Sequence, residues 1–342
     1  IDRDTISDVC RQIAELRTHG IEVIVVSSGA VGLGMGILGK KARPRNLHKL
    51  QACAAVGQSK LIQTWQHAFE PHGIVAAQVL LTHDDLRLRK RYVTVQATLE
   101  HLIASGVVPV INENDAVSSE EISVGDNDML SAMVASITGS SLLVILSTAP
   151  GLIDMKGSGE VVPVVEKITP EVEAMAGGTT SATAVGGMIT KIKAARLAGK
   201  SGCHLVIGHG HHENIILRAV LEGDVGTVFM ASSLPMGSKK RWLAFFQRPV
   251  GTIHVDEGAR DALVRNGKSL LASGIRQSTG DFAASDIVNL AGPDGTVFAR
   301  GQSCFSSNEI KEIQGKSSAD LRRSFPGRSR LEVIHRNSLV VL

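Results

Sequence analysis

Apolar positions follow two different periods along this chain. Short runs of consecutive apolar, often β-branched residues predict buried strands, and stretches in which apolar residues recur every three or four positions predict amphipathic helices. Over the first 230 residues the two patterns alternate, which indicates an α/β fold with a mostly parallel sheet sandwiched by helices. We predict strands at 21–26, 74–81, 107–111, 142–146 and 205–208, and helices at 2–19, 47–69, 92–105 and 192–198.

The pattern changes after residue 230. Residues 231–240 form a polar stretch that contains Ser, Gly and Pro, and we interpret it as a linker. Beyond it, short β-type runs are separated by turns, which predicts a small β-barrel-like domain at 241–342 after an α/β domain at 1–230. The predicted strands of the second domain are 251–255, 286–290, 295–299, 331–335 and 339–342.

Two polar clusters lie close together after the apolar run at 107–111. The first is Asn112 to Asp115, and the second is Gly125 to Asp128, directly before a helical pattern. Ligands of α/β proteins bind beyond the carboxyl ends of the strands, so the clusters predict a site for a small polar ligand. The alternative is ordinary turn chemistry, in which Asn and Asp satisfy their own backbone. Asp126 or Asn127 could also cap the helix.

Glycine patterns near residue 30 suggest nucleotide sites at first sight. Gly34, Gly36 and Gly39 spell GxGxxG, but they begin well past the end of the strand and lack the acidic residue that a dinucleotide site needs. A P-loop is excluded because Lys41 stands where Ser or Thr is required. The remaining candidate is Ser28, which could hold an anion at the carboxyl end of the first predicted strand or form a plain turn.

A second glycine pair precedes a strong helical pattern. We predict that Gly186 and Gly187 open this helix, where backbone N–H groups can approach phosphate oxygens. Lys191, one turn later, would add a positive charge where a transferring phosphoryl group develops negative charge. The segment is therefore a candidate phosphate site.

Composition narrows the class of protein. The chain has 342 residues, 43% of them hydrophobic, and four cysteines without CxxC spacing, which indicates reduced thiols. His209, His211 and His212 lack a Cys or carboxylate partner at ligand spacing, so we do not expect a metal there. The sequence has no run of eighteen apolar residues and no signal-peptide pattern, and we expect a cytoplasmic protein without a membrane partner.

Charge is unevenly distributed between the two parts of the chain. Residues 1–237 carry 20 Lys/Arg against 23 Asp/Glu, whereas residues 238–342 carry 16 against 10. A basic second domain permits nucleic-acid contact, although an excess of this size is also an ordinary solvated surface. Only 3% of the residues are aromatic, which weighs against a base-stacking platform.

Nine segments together resemble the glutamate 5-kinase family of amino acid kinases with its C-terminal PUA domain. They are VSSGAVGLG (26–34), LQACAAVGQ (50–58), VPVINENDAV (108–117), VGDNDMLSA (124–132), GGMITKIKAA (186–195), KKRWLA (239–244), DEGARDAL (256–263), GKSLLASGI (267–275) and HRNSLVVL (335–342). The resemblance covers essentially the whole chain. It implies the amino acid kinase fold and transfer of the γ-phosphoryl group of ATP to the γ-carboxylate of glutamate, with Mg²⁺ present, in proline biosynthesis.

The resemblance also assigns roles to individual residues. It implies glutamate binding by Ser28, Asp115 and Asn127, with Asn112 as a further contact. It implies that Asp128 orients catalytic lysines and that Lys191 stabilises the transferring phosphoryl group. The ATP-binding residues that it implies are Ser147, Thr148, Gly186, Gly187, Met188, Ile189, Thr190 and Lys191.

The chain departs from the family pattern in ways that leave alternatives open. The family's first strand, with a second catalytic lysine, would precede Ile1, so we expect roughly twenty residues to be missing upstream. Thr148 and Val185 also differ from the family's usual residues. A truncated or decayed kinase that retains glutamate binding is therefore one alternative, and RNA binding through the PUA domain is another. The family further implies homo-oligomers and feedback inhibition by proline.

Overall fold

The computed structural model describes residues 2–118, 126–155, 157–177, 182–328 and 331–342. The chain divides into two compact units, residues 1–235 and 236–342. The division falls within the segment 231–240. Within the described residues, no helix is long and apolar enough to cross a lipid bilayer.

The first unit contains a three-stranded sheet that is parallel throughout. Its strands are β1 (Val25–Val26), β2 (Ala76–Leu81) and β3 (Val108–Glu113), in the order β1-β3-β2. The centre strand β3 is almost completely buried, as expected of a β-branched run with neighbours on both sides. β1 is shorter than the predicted strand at 21–26, because only its last two residues pair with β3.

A second sheet of the first unit has four strands in the order β4-β6-β7-β5. They are β4 (Leu142–Ser147), β5 (Val164–Val165), β6 (His204–His209) and β7 (Thr227–Phe229). β4 and β6 are parallel, as are β5 and β7, while β6 and β7 are antiparallel. The mostly parallel α/β arrangement predicted from the sequence is therefore confirmed.

The helices of the first unit connect these strands and bury one face each. Local residues define both ends of α3. The Asn46 side chain accepts from the backbone N–H of Lys49 at the start of the helix, and Gly73 adopts a left-handed φ of 65° shortly after the end of the helix. The helices are α1 (Arg3–Thr18), α2 (Ala30–Ile37), α3 (Leu47–Phe69), α4 (His83–Arg87), α5 (Arg89–Ala104), α6 (Asp126–Thr138), α7 (Pro170–Ala176), α8 (Ala182–Lys200) and α9 (Ile215–Leu217), the last continued by a π-helical turn, Arg218–Glu222.

Gly34, the first glycine of the GxGxxG pattern, and Gly57 of α3 serve helix packing. A Cβ atom on Gly34 of α2 would lie 1.7 Å from the carbonyl oxygen of Cys53 in α3, and one on Gly57 would lie 1.8 Å from the carbonyl oxygen of Ala30. The backbones of α2 and α3 thus approach each other at distances that only glycine permits. This contact holds α3 closely against α2.

The cysteines are free thiols, as the composition indicated. Burial raises the pKa of Cys10 and Cys203 to about 12. At neutral pH these two thiols are protonated, which makes them core residues rather than nucleophiles.

The second unit is built on a five-stranded mixed sheet in the order β12-β11-β10-β8-β9. Its apolar core includes Val288, Leu290 and Phe305, all fully buried. The strands are β8 (Gly251–Val255), β9 (Ile275–Thr279), β10 (Ile287–Ala291), β11 (Val297–Gln302) and β12 (Leu339–Val341), and the helices are α10 (Ser238–Arg241), continued by a π-helical turn, Trp242–Phe246, then α11 (Glu257–Val264), α12 (Ser307–Ile313) and α13 (Ser318–Ser324).

One strand of the second unit was predicted wrongly. The run at 331–335 contributes only an isolated bridge between Leu270 and Ile334. The strand β9 was not predicted, because the exposed residues of Ile275–Thr279 give it little apolar alternation. β9 pairs with β8 at the edge of the sheet.

Candidate functional site

The carboxyl ends of the three parallel strands bring the first group of candidate residues together. In register, Val26 lies beside Ile111, and Leu80 lies beside Asn112. The backbone N–H of Ser27 donates to the carbonyl of Ile111 at 2.8 Å, which extends the pairing by one residue. Residues after β1 and β3 therefore meet at one edge of the sheet, as expected for a ligand site of an α/β fold.

Ser28 lies at the turn between β1 and α2. Gly29 has a φ of 103°, a left-handed conformation that favours glycine and lets the chain turn directly from strand to helix. Ser28 is exposed at the amino end of α2. Its position suits contact with a small ligand.

A chain of side-chain amides lies beside this turn. Asn127 Nδ2 donates to the carbonyl of Ser27 at 3.1 Å and to Asn112 Oδ1 at 3.4 Å. Asn112 Nδ2 in turn donates to Gln58 Oε1 at 2.9 Å. Within the described part of the chain, Asn127 Oδ1 is buried and has no donor. Buried polar atoms are almost always paired, so this oxygen is a candidate ligand contact.

Helix α3 supports the same group from a second point. Trp65 Nε1 donates to Ser27 Oγ at 2.9 Å, and both side chains are buried. Gln58 and Trp65 are seven residues apart and so lie on one face of the helix. One helix therefore contacts both Asn112 and Ser27.

A cavity of about 210 Å³ opens beside Gln58, the residue at the α3 end of the amide chain. Its lining includes Gln58 and Ser59 from α3, Gln78 from β2, and Glu113 and Asp115 from the end of β3. Carboxylates and amide or hydroxyl groups thus share one small polar space. Such a space suits a small polar molecule that carries groups of both signs.

The second group of candidates is an ion pair between two helices. Lys191 Nζ of α8 lies 3.0 Å from Asp128 Oδ2 of α6, and the two side chains are only 14% and 15% exposed. Thr190 Oγ1 donates to the same carboxylate oxygen at 2.8 Å. Because Asp128 follows Asn127 directly, this charged pair is adjacent to the amide chain. The structure thus brings Asp128 and Lys191, two of the candidate residues, into contact.

The glycine pair before Lys191 does not open the helix. α8 begins at Ala182, so Gly186 and Gly187 lie within its first turns, and the prediction of a helix start at these residues is wrong. A helix can run through glycine because each one costs only about 1 kcal/mol relative to Ala. The carbonyl of Gly187 lies 2.9 Å from Thr190 Oγ1 and is the alternative acceptor for the one hydroxyl proton that Thr190 can give to Asp128.

The other candidates on the nucleotide side are placed separately. Ser147 ends β4, where it lies beside His209 of β6, and Thr148 follows it in an exposed position. Ser147 Oγ accepts from the backbone N–H of Ala149 at 3.2 Å. Across the described ranges, no hydrogen bond connects Ser147 or Thr148 to the pair of Asp128 and Lys191. Met188 and Ile189 lie in the turn of α8 that precedes Lys191.

Some predictions fall outside what the structure describes. Gly125 and the residues from 119 to 124 are not described, nor is the side chain of Asp126, so the capping prediction for Asp126 lies there too. Among the described residues, no group of three metal-ligating side chains occurs. In the histidine cluster at 209–212, His212 lies beside a cation, since Nη1 of Arg218 is 3.2 Å from Nε2 of the histidine.

Sequence reasoning missed the support that α3 gives to the site. Gln58 belongs to the LQACAAVGQ motif, but its contact with Asn112 depends on how α3 packs on the sheet. The spacing of seven residues between Gln58 and Trp65 was the available signal for this support. It places two side chains that can form hydrogen bonds on the same face of the helix.

Comparison with protein families assigns both parts of the chain. Residues 2–209 match the model of the amino acid kinase family. Residues 251–325 match the model of the PUA domain. The first match covers α1 to β6, and the second covers most of the five-stranded sheet.

The chain is also similar to named proteins over nearly its whole length. It is 46% identical over 329 residues to the glutamate 5-kinase of Myxococcus xanthus, covering 95% of this chain and 87% of that protein. It is 42% identical to the glutamate 5-kinase of Pelobacter propionicus, covering 100% of this chain and 93% of that protein. The enzyme of the same name from Pseudomonas syringae pv. tomato is 41% identical, with coverage of 100% and 93%.

Proposed function

The chain belongs to the amino acid kinase family, and we propose that it catalyses the ATP-dependent phosphorylation of the γ-carboxylate of L-glutamate. The product would be glutamyl 5-phosphate, and the reaction would open proline biosynthesis. The observation that carries the proposal is the adjacency of Asn127 and Asp128. The first belongs to the amide chain at the polar cavity, and the second is paired with Lys191. The relatives named glutamate 5-kinase support the choice of glutamate as substrate.

The acceptor amino acid would occupy the cavity beside the amide chain. The carboxylate of Asp115 and the buried Oδ1 of Asn127 are acceptors suited to an α-ammonium group. Ser28 and Asn112 would complete the contacts at the end of β1 and β3. We infer that the amide side chains orient the substrate without adding to the negative charge of Glu113 and Asp115, which line the same cavity.

Lys191 would act on the phosphoryl group. Phosphoryl transfer depends on positioning and electrostatic stabilisation rather than on covalent chemistry from the protein. Asp128 holds Lys191 Nζ at 3.0 Å, and the ammonium group has further protons to donate to phosphoryl oxygens. The attacking γ-carboxylate oxygen forms a bond to the γ-phosphorus of ATP while the bond to the bridging oxygen of ADP breaks.

We propose that the remaining nucleotide contacts lie at the carboxyl end of β4 and in the first turns of α8. They are Ser147, Thr148, Gly186, Gly187, Met188, Ile189 and Thr190. We propose that Mg²⁺ accompanies ATP and is held mainly by phosphate oxygens, since Mg²⁺ in such sites uses few protein carboxylates. When bound, the ion would neutralise phosphate charge.

Organisation beyond the active site is also proposed. We assign residues 1–230 to the kinase domain, 231–240 to a linker and 241–342 to the PUA domain. We place the enzyme in the cytoplasm, whose reducing conditions suit four free thiols. Homo-oligomer formation and inhibition by proline are proposed from the resemblance to the family.

RNA binding by the second unit is a second candidate function. The excess of 16 Lys/Arg over 10 Asp/Glu in residues 238–342 favours it, together with the match to the PUA domain. We would measure binding of a structured RNA between low and high salt. Binding that weakens with salt and is lost when Lys239 and Lys240 are changed to Gln would support the function, and no binding at low salt would refute it.

The main experiment measures ADP release by the purified protein with Mg-ATP. We expect release that depends on L-glutamate and is at least tenfold slower with L-aspartate or L-glutamine. Release that is independent of glutamate would refute the proposal. Glutamate binding without any release would favour a decayed kinase.

A further inference from the structure

We propose that Gln58 is a positioning residue for the acceptor amino acid, acting through Asn112 on the amide of Asn127. The inference rests on the proposed function. Gln58 lies in α3, outside the two polar clusters that identify the site in the sequence. Its hydrogen bond to Asn112 makes it the far end of the amide chain.

The orientation of Asn127 is fixed by what surrounds its NH₂ group. Both contacts of Nδ2 are with acceptors, the carbonyl of Ser27 and Oδ1 of Asn112. An amide has its donors at one end and its acceptor at the other, so these contacts turn Oδ1 the opposite way. That oxygen is buried and has no donor among the described residues. A ligand N–H group would satisfy it, and the α-ammonium of an amino acid supplies one.

The orientation of Asn112 depends on Gln58. Asn112 is 2% exposed, so water does not compete for its amide. Its Oδ1 faces the NH₂ of Asn127, and its own NH₂ faces Gln58 Oε1 at 2.9 Å. If that acceptor were removed, the buried NH₂ of Asn112 would be unpaired, and a flip would place it against the NH₂ of Asn127. The oxygen of Gln58 thus decides which way both asparagine amides point.

Helix α3 makes this arrangement rigid. Trp65, two turns after Gln58, donates to Ser27 Oγ, and the carbonyl of Ser27 is the other acceptor for Asn127. Both supports of the Asn127 amide therefore depend on the same helix. Gln58 also lines the cavity that contains Asp115, so its position is coupled to the space proposed for the substrate.

The test compares Gln58→Met with Gln63→Met in the full-length protein. Gln63 lies in the same helix but is exposed, which makes it a matched control. We expect Gln58→Met to raise the KM for glutamate about tenfold, the effect of losing one oriented hydrogen bond to a charged group. The KM for ATP should stay within about twofold, and Gln63→Met should leave both constants unchanged. Gln58→Glu keeps an acceptor oxygen and should recover part of the loss.

A double variant separates positioning from a merely structural role. In the background of Asn127→Ala, changing Gln58 to Met should have no further effect on the KM for glutamate, because the group that Gln58 orients is absent. Effects that multiply would overturn the proposal, as would equal increases in the KM for glutamate and for ATP. Thermal unfolding of each variant verifies the fold.

Failure of the proposed function would give a different result. In that case the wild-type protein would show no glutamate-dependent ADP release. Glutamate affinity would then be measured by calorimetry on the same variants. We expect Gln58→Met to bind glutamate most weakly, Gln58→Glu to recover part of the affinity, and Gln63→Met to bind like the wild-type protein. Unchanged glutamate affinity in Gln58→Met would overturn the positioning role, and absence of glutamate binding to the wild-type protein would overturn both.

Discussion

Asn127 and Asp128 are neighbours in the chain, yet they belong to two differently constructed regions. Asn127 is part of a series of neutral amide hydrogen bonds supported by α3. Asp128 is part of one partly buried ion pair with Lys191, to which Thr190 adds a hydroxyl. The first helical turn of α6 therefore connects a neutral region to a charged one.

The difference follows from what each region would have to do. Amides fix direction without adding net charge, which suits an acidic substrate whose carboxylates would be repelled by more anions. The ion pair instead holds the Lys191 ammonium group in a fixed position, where negative charge grows during transfer. We therefore expect changes in the amide region to alter glutamate affinity and changes in the ion pair to alter turnover. The following variants test this division, beginning with the largest expected effect.

Lys191→Ala should reduce kcat by about 10³-fold, since removal of one group that stabilises transition-state charge costs roughly 10²–10³ in rate. The KM for glutamate should change little. Lys193→Ala, an exposed lysine in the same helix, is the control and should retain full turnover. Steady-state kinetics measure both. A kcat of Lys191→Ala within tenfold of wild type would contradict the role of the ion pair.

Gly34→Ala should destabilise the protein by about 3 kcal/mol, because a Cβ atom there would lie 1.7 Å from the carbonyl oxygen of Cys53 and force α2 and α3 apart. Gly36→Ala is the matched control. It has no atom within 4 Å of its Cβ position and should be neutral or slightly stabilising. Urea unfolding gives both values. Equal stability of the two variants would contradict the close contact between α2 and α3 at Gly34.

Asn127→Ala should raise the KM for glutamate about 30-fold with a smaller change in kcat, as expected for loss of a hydrogen bond to a charged group worth ~2 kcal/mol. Calorimetry with glutamate alone provides a check that does not depend on turnover. A loss of kcat with unchanged glutamate affinity would mean that the division between the two regions is wrong.

Trp65→Phe should have the smallest effect, a loss of about 1 kcal/mol of stability, since it removes one buried hydrogen bond to Ser27 while a ring can still stack on Phe69. Trp242→Phe in the second unit is an instructive control. Within the described residues, Trp242 Nε1 is buried without an acceptor, so its loss should cost no hydrogen bond. Chemical unfolding followed by circular dichroism compares the two, and equal losses would argue against the role of Trp65.

The sequence predicted elements better than it predicted contacts. The helix at 47–69 has the predicted ends because the Asn46 cap and the turn at Gly73 are local signals. The start of α8 was misplaced because a glycine pair was interpreted as a boundary, although a helix can run through it. β1 was predicted too long, since apolar character does not show where a neighbouring strand ends.

The sequence predicted those residues of the candidate site that lie within short motifs, but not the contacts that depend on tertiary packing. Asn112, Asn127, Asp128 and Lys191 were identified from clusters and motifs, and the structure joins them through hydrogen bonds. The supports from Gln58 and Trp65 depend on how α3 lies across the ends of β1 and β3. That packing is a tertiary property, which no periodicity within one segment reports.

The most direct test of the central claim is to trap the product. An acyl phosphate reacts with hydroxylamine to give a hydroxamate. The products of transfer to an amino group or to water, a phosphoramidate or inorganic phosphate, do not give one. With L-glutamate, Mg-ATP and hydroxylamine, we expect one hydroxamate for each ADP released by the full-length protein. Release of ADP without hydroxamate would contradict transfer to the γ-carboxylate and, with it, the assignment of the two regions of the site.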